Sequence, residues 1–253
     1  APSGSPLEVQ PLSFDDPAAL ARAFAGVGTF YNTFWMRTGD RGGGRSYDLA
    51  VDRSRRLIDA AVAARVRRIV HLSVVKPSLR SPYPYFRAKA AVEDHLVATG
   101  VPCTIVRPAL VFGGEAAMLH DLARVLRRSP VFGLPGAGTF RVRPVHVDDV
   151  ADLCLATEPR RGGQVVDAVG PERPTFRELV ASVRDAVGAR SLLVPMPVPV
   201  VLGAARLFGR DLLTADELRS TMDGLADAEG PTTGDTSLAA WLATHGHDLG
   251  RRR

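Results

Sequence analysis

The sequence contains almost no lysine. Of 32 basic residues in 253, only Lys76 and Lys89 are lysines; the other thirty are arginines. Cysteine is as scarce, with Cys103 and Cys154 far apart in apolar segments. Two such residues exclude a disulfide framework and read as buried free thiols of a reducing compartment. No clean membrane span occurs either. The most apolar stretch, SLLVPMPVPVVLGAARLFG (191–209), has the length of one. Pro195, Pro197 and Pro199 hold its first half extended, however, and Arg206 charges its second. It reads as a strand or loop entering a buried helix. The opening APSGSPLEVQ lacks the basic and apolar regions of a secretory signal, so a soluble, cytoplasmic protein is expected. Basic stripes interleaved with aromatics are also missing. A net charge of +5 spread over scattered arginines leaves no nucleic-acid footprint. His245-Gly-His247-Asp248 reads as a polar loop with no further ligands beside it, and no metal is expected.

What is present is the composition of an ordinary globular protein, 45% apolar and 23% charged, enough to bury a substantial core. The first half alternates apolar strands with amphipathic helices. FDDPAALARAFAG opens on Asp16 as an N-cap with Pro17 behind it and closes at Gly26. VGTFYNTFW follows as a strand, RTGDRGGGRSY as a glycine-rich loop, and DLAVDRSRRLIDAAVAARV as a long helix. RRIVHLSVV, YFRAKAAVEDHLVATG and PCTIVRPALVFG continue the pattern as strand, helix and strand. This rhythm predicts an α/β fold, a parallel sheet covered by helices on both faces. Later segments read mostly as helices. The helix of RPVHVDDVADL is expected to be capped by Asp148, and Thr175 with Glu178 and Thr214 with Glu217 have the capping-box spacing. A doubly wound domain over 1–170 and a smaller, mostly helical domain over 171–253 are expected.

Tyr85 and Lys89 stand four apart in YFRAKAAVEDHL and so share one face of a helix. An ammonium beside a phenol favours the phenolate and draws its pKa toward neutrality. Lysine is a compact charge on a flexible stem, suited also to ribose hydroxyls, which sets it apart from the arginines used elsewhere. Ser73 ends the strand RRIVHLS, at the sheet edge where open α/β folds bind ligands. The alternative is an exposed lysine and a half-buried aromatic that merely share helical spacing.

Ser73, Tyr85-Phe-Arg-Ala-Lys89, IVRPALVFG and RPVHVDDVADL together resemble the short-chain dehydrogenase/reductase superfamily. The likeness is to its extended and atypical branches: NAD-dependent epimerase/dehydratase, NmrA-like, and complex I accessory-subunit-like proteins. It implies a Rossmann-like fold, NAD or NADP as cofactor, and a small hydroxy or carbonyl substrate; it leaves a homodimer or a protein partner open. By the same resemblance Tyr85 is the general acid/base and Lys89 binds the nicotinamide ribose and lowers the Tyr85 pKa. Ser73 orients the substrate oxygen. Asn32, Thr33 and Phe34 pass the cofactor's phosphates and ribose, and Pro108, Ala109 and Leu110 line its nicotinamide side. For His146-Val-Asp148-Asp149, a structural role competes with a catalytic one.

The superfamily's glycine-rich turn between a first strand and a first helix does not appear. Gly26-Val-Gly28 lies between a helix and a strand, and Gly42-Gly-Gly44 has the wrong spacing and is expected to start no helix. By alignment LEVQPL is the superfamily's third strand, and Ser13 stands where relatives carry an adenine-reading aspartate. The chain is therefore expected to be either the C-terminal part of a longer protein, which folding favours, or an N-terminally truncated sheet. Losing about 4 kcal/mol of phosphate contacts would weaken dinucleotide binding roughly a thousandfold. Two functions follow: a Tyr/Lys/Ser-assisted hydride-transfer enzyme, or an inactive dehydrogenase-like module that binds nucleotide weakly or not at all and acts through partners.

Overall fold

The computed structural model describes residues 9–10, 12–36, 43–114, 116–157, 163–207 and 214–251. Half of the expected strand LEVQPL (7, 8 and 11) falls outside them, and residues 9, 10 and 12 are not in a strand. The first half runs α1 (Pro17–Ala23), β1 (Thr29–Asn32), α2 (Gly43–Ala63), β2 (Arg68–Leu72), α3 (Pro84–Ala98) and β3 (Cys103–Pro108). Then come β4 (Leu110–Phe112), α4 (Ala117–Arg128), β5 (Val131–Pro135), β6 (Pro144–His146), α5 (Val147–Ala156) and β7 (Gln164–Ala168). The chain continues through α6 (Phe176–Ala186), β8 (Leu192–Met196), α7 (Val198–Leu207), α8 (Ala215–Met222) and α9 (Leu238–His245).

Four strands form a parallel sheet in the order β1-β2-β3-β7. Successive side chains of a strand point to opposite faces, and here both faces are apolar. Ile69 and Ile105 meet Ile58, Val92 and Leu96 from α2 and α3. Their neighbours Val70 and Val106 meet Val150 of α5 on the other side. Two-sided coverage explains why IVHL and TIVR are apolar runs rather than alternating strands. Among the described residues β1 is an edge of this sheet.

A second core joins α4, β5, α6 and α9 around Leu119, Leu126, Leu134, Leu179 and Leu242. It draws on residues from both sides of position 170. The segment predicted as one strand, PCTIVRPALVFG, divides at Ala109: β3 stays in the main sheet, while β4 leaves it to pair with β6. The junction is tight. A Cβ on Gly170 would come 2.1 Å from the Pro144 carbonyl oxygen, so only glycine lets β7 and β6 approach this closely. Arg143 is buried here and donates to the carbonyls of Gly170 (3.1 Å), Ala228 (2.9 Å) and Gly230 (2.9 Å), binding the C-terminal segment to the sheet.

Several expectations change in detail. The glycine run does open a helix, since α2 begins at Gly43; residues 37–42 lie outside the described set. The residues 191–209 hold β8 and α7, but Leu192, Val194 and Val200 are exposed, so this is not a buried helix. Asp148 does not cap α5; the His146 ring accepts from the Asp148 N–H at 3.2 Å. The Asp16 cap and both capping boxes form as expected. Cys103 is buried and Cys154 half-buried, both free thiols. Among the described residues no helix is long and apolar enough to cross a membrane, and no cluster of three or more acidic, histidine or cysteine residues could hold a metal.

Candidate active site

Parallel register brings the C-terminal ends of β1, β2 and β3 together. Asn32 lies opposite His71, and the Ser73 N–H extends the ladder to the Val106 carbonyl at 2.8 Å. The loop after β2 then leads into α3, where Pro84 sits in the first turn with its φ already set for a helix. Its fixed start places Tyr85 and Lys89 against this sheet edge.

Lys89 is only 4% exposed. Its Nζ donates to the Leu72 carbonyl at 3.2 Å and lies 4.1 Å from the centroid of the Trp35 ring. The Tyr85 ring is farther, 6.0 Å from Nζ. Burial lowers the Lys89 pKa to about 8, opposed by Glu93 one helical turn on. Glu93 is itself buried and held by Arg107, whose Nε donates to Oε1 at 3.0 Å.

Tyr85 is half-buried in an aromatic cluster, edge-on to Trp35 at 5.8 Å and to Phe86 at 5.3 Å, with Tyr47 at 6.2 Å. Its pKa is raised, first by burial and then by Tyr47 and Glu217. The expected acidifying effect of Lys89 is therefore not what governs the phenol. The ammonium sits against Trp35, and burial favours the neutral hydroxyl.

Ser73 and Asn32 are buried, and the Ser73 Oγ and Asn32 Nδ2 have no hydrogen-bond partner among the described residues. Asn32 Oδ1 accepts from the Phe34 N–H at 3.2 Å. Thr33 is exposed. Phe34 turns away, packing with Phe14, Leu20 and Leu57 between α1 and α2. Pro108 is buried at the end of β3, Ala109 packs with Val75 and Val169, and Leu110 joins the second core. The structure thus gathers Ser73, Tyr85, Lys89 and Asn32 at one sheet edge and directs Phe34 and Leu110 elsewhere.

Two neighbours escaped the sequence reading. His71 is fully buried, and among the described residues neither ring nitrogen has a hydrogen-bond partner; burial and then Lys89 lower its pKa to about 3, the Asn32 backbone working the other way. A lone histidine inside IVHL was its available signal. Trp35, one of two tryptophans, lies three residues beyond β1. The site is roofed from the C-terminal segment. The Tyr83 hydroxyl donates to Asp223, Lys76 Nζ to the Gly224 carbonyl at 2.8 Å, and Leu225 packs on Val74, Tyr83 and Phe86. Asp149 is structural here, accepting from the Thr236 N–H (3.0 Å) and hydroxyl (2.9 Å).

Against known families, residues 2–157 match the profile described as NAD(P)H-binding. The chain belongs to that family. Within this NAD(P)H-binding family its likenesses are those of the extended short-chain dehydrogenase/reductase superfamily. It is 30% identical over 148 residues to the Arabidopsis thaliana mitochondrial NADH dehydrogenase [ubiquinone] 1 alpha subcomplex subunit 9, covering 56% of this chain and 37% of that protein. It is 26% identical over 198 residues to the Neurospora crassa mitochondrial NADH-ubiquinone oxidoreductase 40 kDa subunit, 76% of this chain and 52% of that one. The chain thus spans about half or less of these relatives' length. Among solved structures, Citrobacter triphenylmethane reductase complexed with NADP(H) superposes with a TM-score of 0.72 at 19% identity, over 92% of this chain and 81% of that one. The Escherichia coli NADPH-dependent quinone oxidoreductase complexed with NADPH gives 0.67 at 20% identity, over the same shares. At such identities the likeness is one of fold.

Proposed function

We propose that this NAD(P)H-binding chain carries the hydride-transfer site of a short-chain-type oxidoreductase or epimerase/dehydratase acting on a small hydroxy or carbonyl compound. One observation carries the reading. Buried polar groups without partners, Ser73 Oγ and Asn32 Nδ2, converge with Lys89 and Tyr85 at the edge where three parallel strands end. Native interiors rarely leave such atoms unsatisfied, and a ligand that bonds to them accounts for their retention. The residues fit the nicotinamide-ribose half of a dinucleotide. Lys89 Nζ would hold a ribose hydroxyl, while Pro108 and Ala109 would line the ring's side. When bound, the nicotinamide supplies or accepts the hydride. Ser73 Oγ would donate to the substrate oxygen, and Tyr85 would exchange a proton with it. A phenol kept neutral by burial is set to give that proton, which suits reduction. The two free thiols suit a reducing compartment.

The test uses NADH and NADPH with a panel of quinones and carbonyl compounds. Tyr85→Phe should lower turnover by about a hundredfold or more while dinucleotide affinity stays within about threefold. Equal turnover by both proteins removes Tyr85 from the chemistry. A second reading, a non-catalytic module working through protein partners, is favoured by the cover over Lys89 and by the respiratory-complex relatives. It calls for weak dinucleotide binding or none, with no turnover by either protein.

A further inference from the structure

Lys89 is an odd ribose-binding group in one respect: nothing outside can reach it. At 4% exposure its ammonium is enclosed by the Leu72 carbonyl and the Trp35 face. A hydroxyl oxygen accepting from Nζ needs a separation near 2.9 Å. The volume such an oxygen would occupy is filled by the indole, whose centroid is 4.1 Å from Nζ. The backbone on either side of Trp35 is anchored by its neighbours. Phe34 is wedged between α1 and α2, and Met36 Sδ accepts from Arg53 at 3.5 Å. Trp35 itself is half-buried: its ring lies over Lys89 and edge-on to Tyr85, and it also packs on the apolar core that α2 and α3 form with the sheet. Rotating the ring outward would give up that packing but leave the β1 pairing, which ends at Asn32, intact, and would uncover the ammonium and one edge of the phenol together.

We propose that Trp35 is a lid over Lys89: the indole closes the ammonium in the ligand-free chain and swings away before a ribose hydroxyl can bond to Nζ. This rests on the dinucleotide reading for its ligand, but the lid itself is testable without one. The closed ring lowers apparent affinity by the fraction of time it is open. Removing it should tighten dinucleotide binding about tenfold.

The scarcity of lysine makes the test direct. Only two side-chain amines exist; Lys76 is exposed and serves as internal reference. Brief reductive methylation followed by peptide mass spectrometry reads both. In the wild-type chain Lys89 should be methylated at least tenfold more slowly than Lys76. Trp35→Ala should speed Lys89 at least tenfold with Lys76 unchanged, and Trp35→Phe should fall between. Unchanged amide exchange in α3 separates an opened lid from a loosened helix; accelerated exchange there, or a Lys89 rate that stays at the wild-type value, overturns the proposal. NADPH or NADH should protect Lys89 in Trp35→Ala. Faster labelling with neither protection nor binding by either dinucleotide sustains the lid and removes the dinucleotide reading instead.

Discussion

Replacing Lys89 by Met should make the protein more stable at neutral pH, and the size of the gain can be worked out. The Lys89 pKa falls from 10.5 to about 8 on folding, chiefly because burial disfavours the charge. Each pH unit of such a gap corresponds to about 1.4 kcal/mol, so the charged side chain costs roughly 3 kcal/mol. The folded pKa lies below the unfolded one. Between pH 8 and 10.5 the unfolded chain holds a proton that the folded chain has released, so stability rises with pH through that window. Below pH 8 the cost is present in full; above 10.5 it is gone. Met fills similar volume without charge. Urea denaturation of both proteins should therefore show Lys89→Met ahead by up to about 3 kcal/mol at pH 7, with the two converging toward pH 10.5. The cation–π contact with Trp35, about 2 kcal/mol in a desolvated pair, is lost with the charge and offsets part of that gain, which makes about 3 kcal/mol its upper bound. A variant less stable than the wild type at pH 7, with no convergence at high pH, would show the buried ammonium to be a net stabiliser and refute the reasoning.

His71 should make the fold acid-sensitive. Its pKa drops from 6.5 to about 3, so stability is complete above pH 6.5 and falls as pH approaches 3. Wild type should lose roughly 5 kcal/mol more than His71→Leu over that range, read by denaturation at each pH; parallel losses would show that the ring is not buried neutral. Gly170→Ala forces a methyl onto the Pro144 carbonyl and should cost about 3 kcal/mol in thermal or urea unfolding. An unchanged midpoint would mean that the β6–β7 approach is looser. Asp149→Ala strips two hydrogen bonds from Thr236 and should lower stability by about 1–3 kcal/mol, with faster amide exchange at Thr236.

Strand-helix alternation was legible because both faces of the sheet are covered: continuous apolar runs such as TIVR and caps such as Asp16 and Thr175 are local signals. The exit of the chain from the main sheet at Ala109 was not, since IVRPALVFG reads as one strand until β6 arrives to pair with its second half. Nor was the cap of α5. An aspartate after a strand is the usual choice, but the helix starts two residues earlier and the His146 ring accepts from the Asp148 N–H. At the site, helical spacing correctly put Tyr85 and Lys89 on one element, yet spacing says nothing of what stands between them. Trp35 comes from another strand end and its ring contacts both side chains, while their burial decides both pKa directions. Phe34 shows the opposite failure: two residues after Asn32, where β1 has already ended and strand alternation no longer applies, it faces the α1–α2 cluster.

Calorimetric titration of the chain with NADH and NADPH, beside its Lys89→Met variant, bears most directly on the whole scheme. Saturable binding of at least one dinucleotide, weakened about tenfold or more in the variant, is the expected result. Absence of saturable binding below about 1 mM, or identical affinities in the two proteins, would mean that the buried ammonium at this sheet edge does not serve a nicotinamide cofactor.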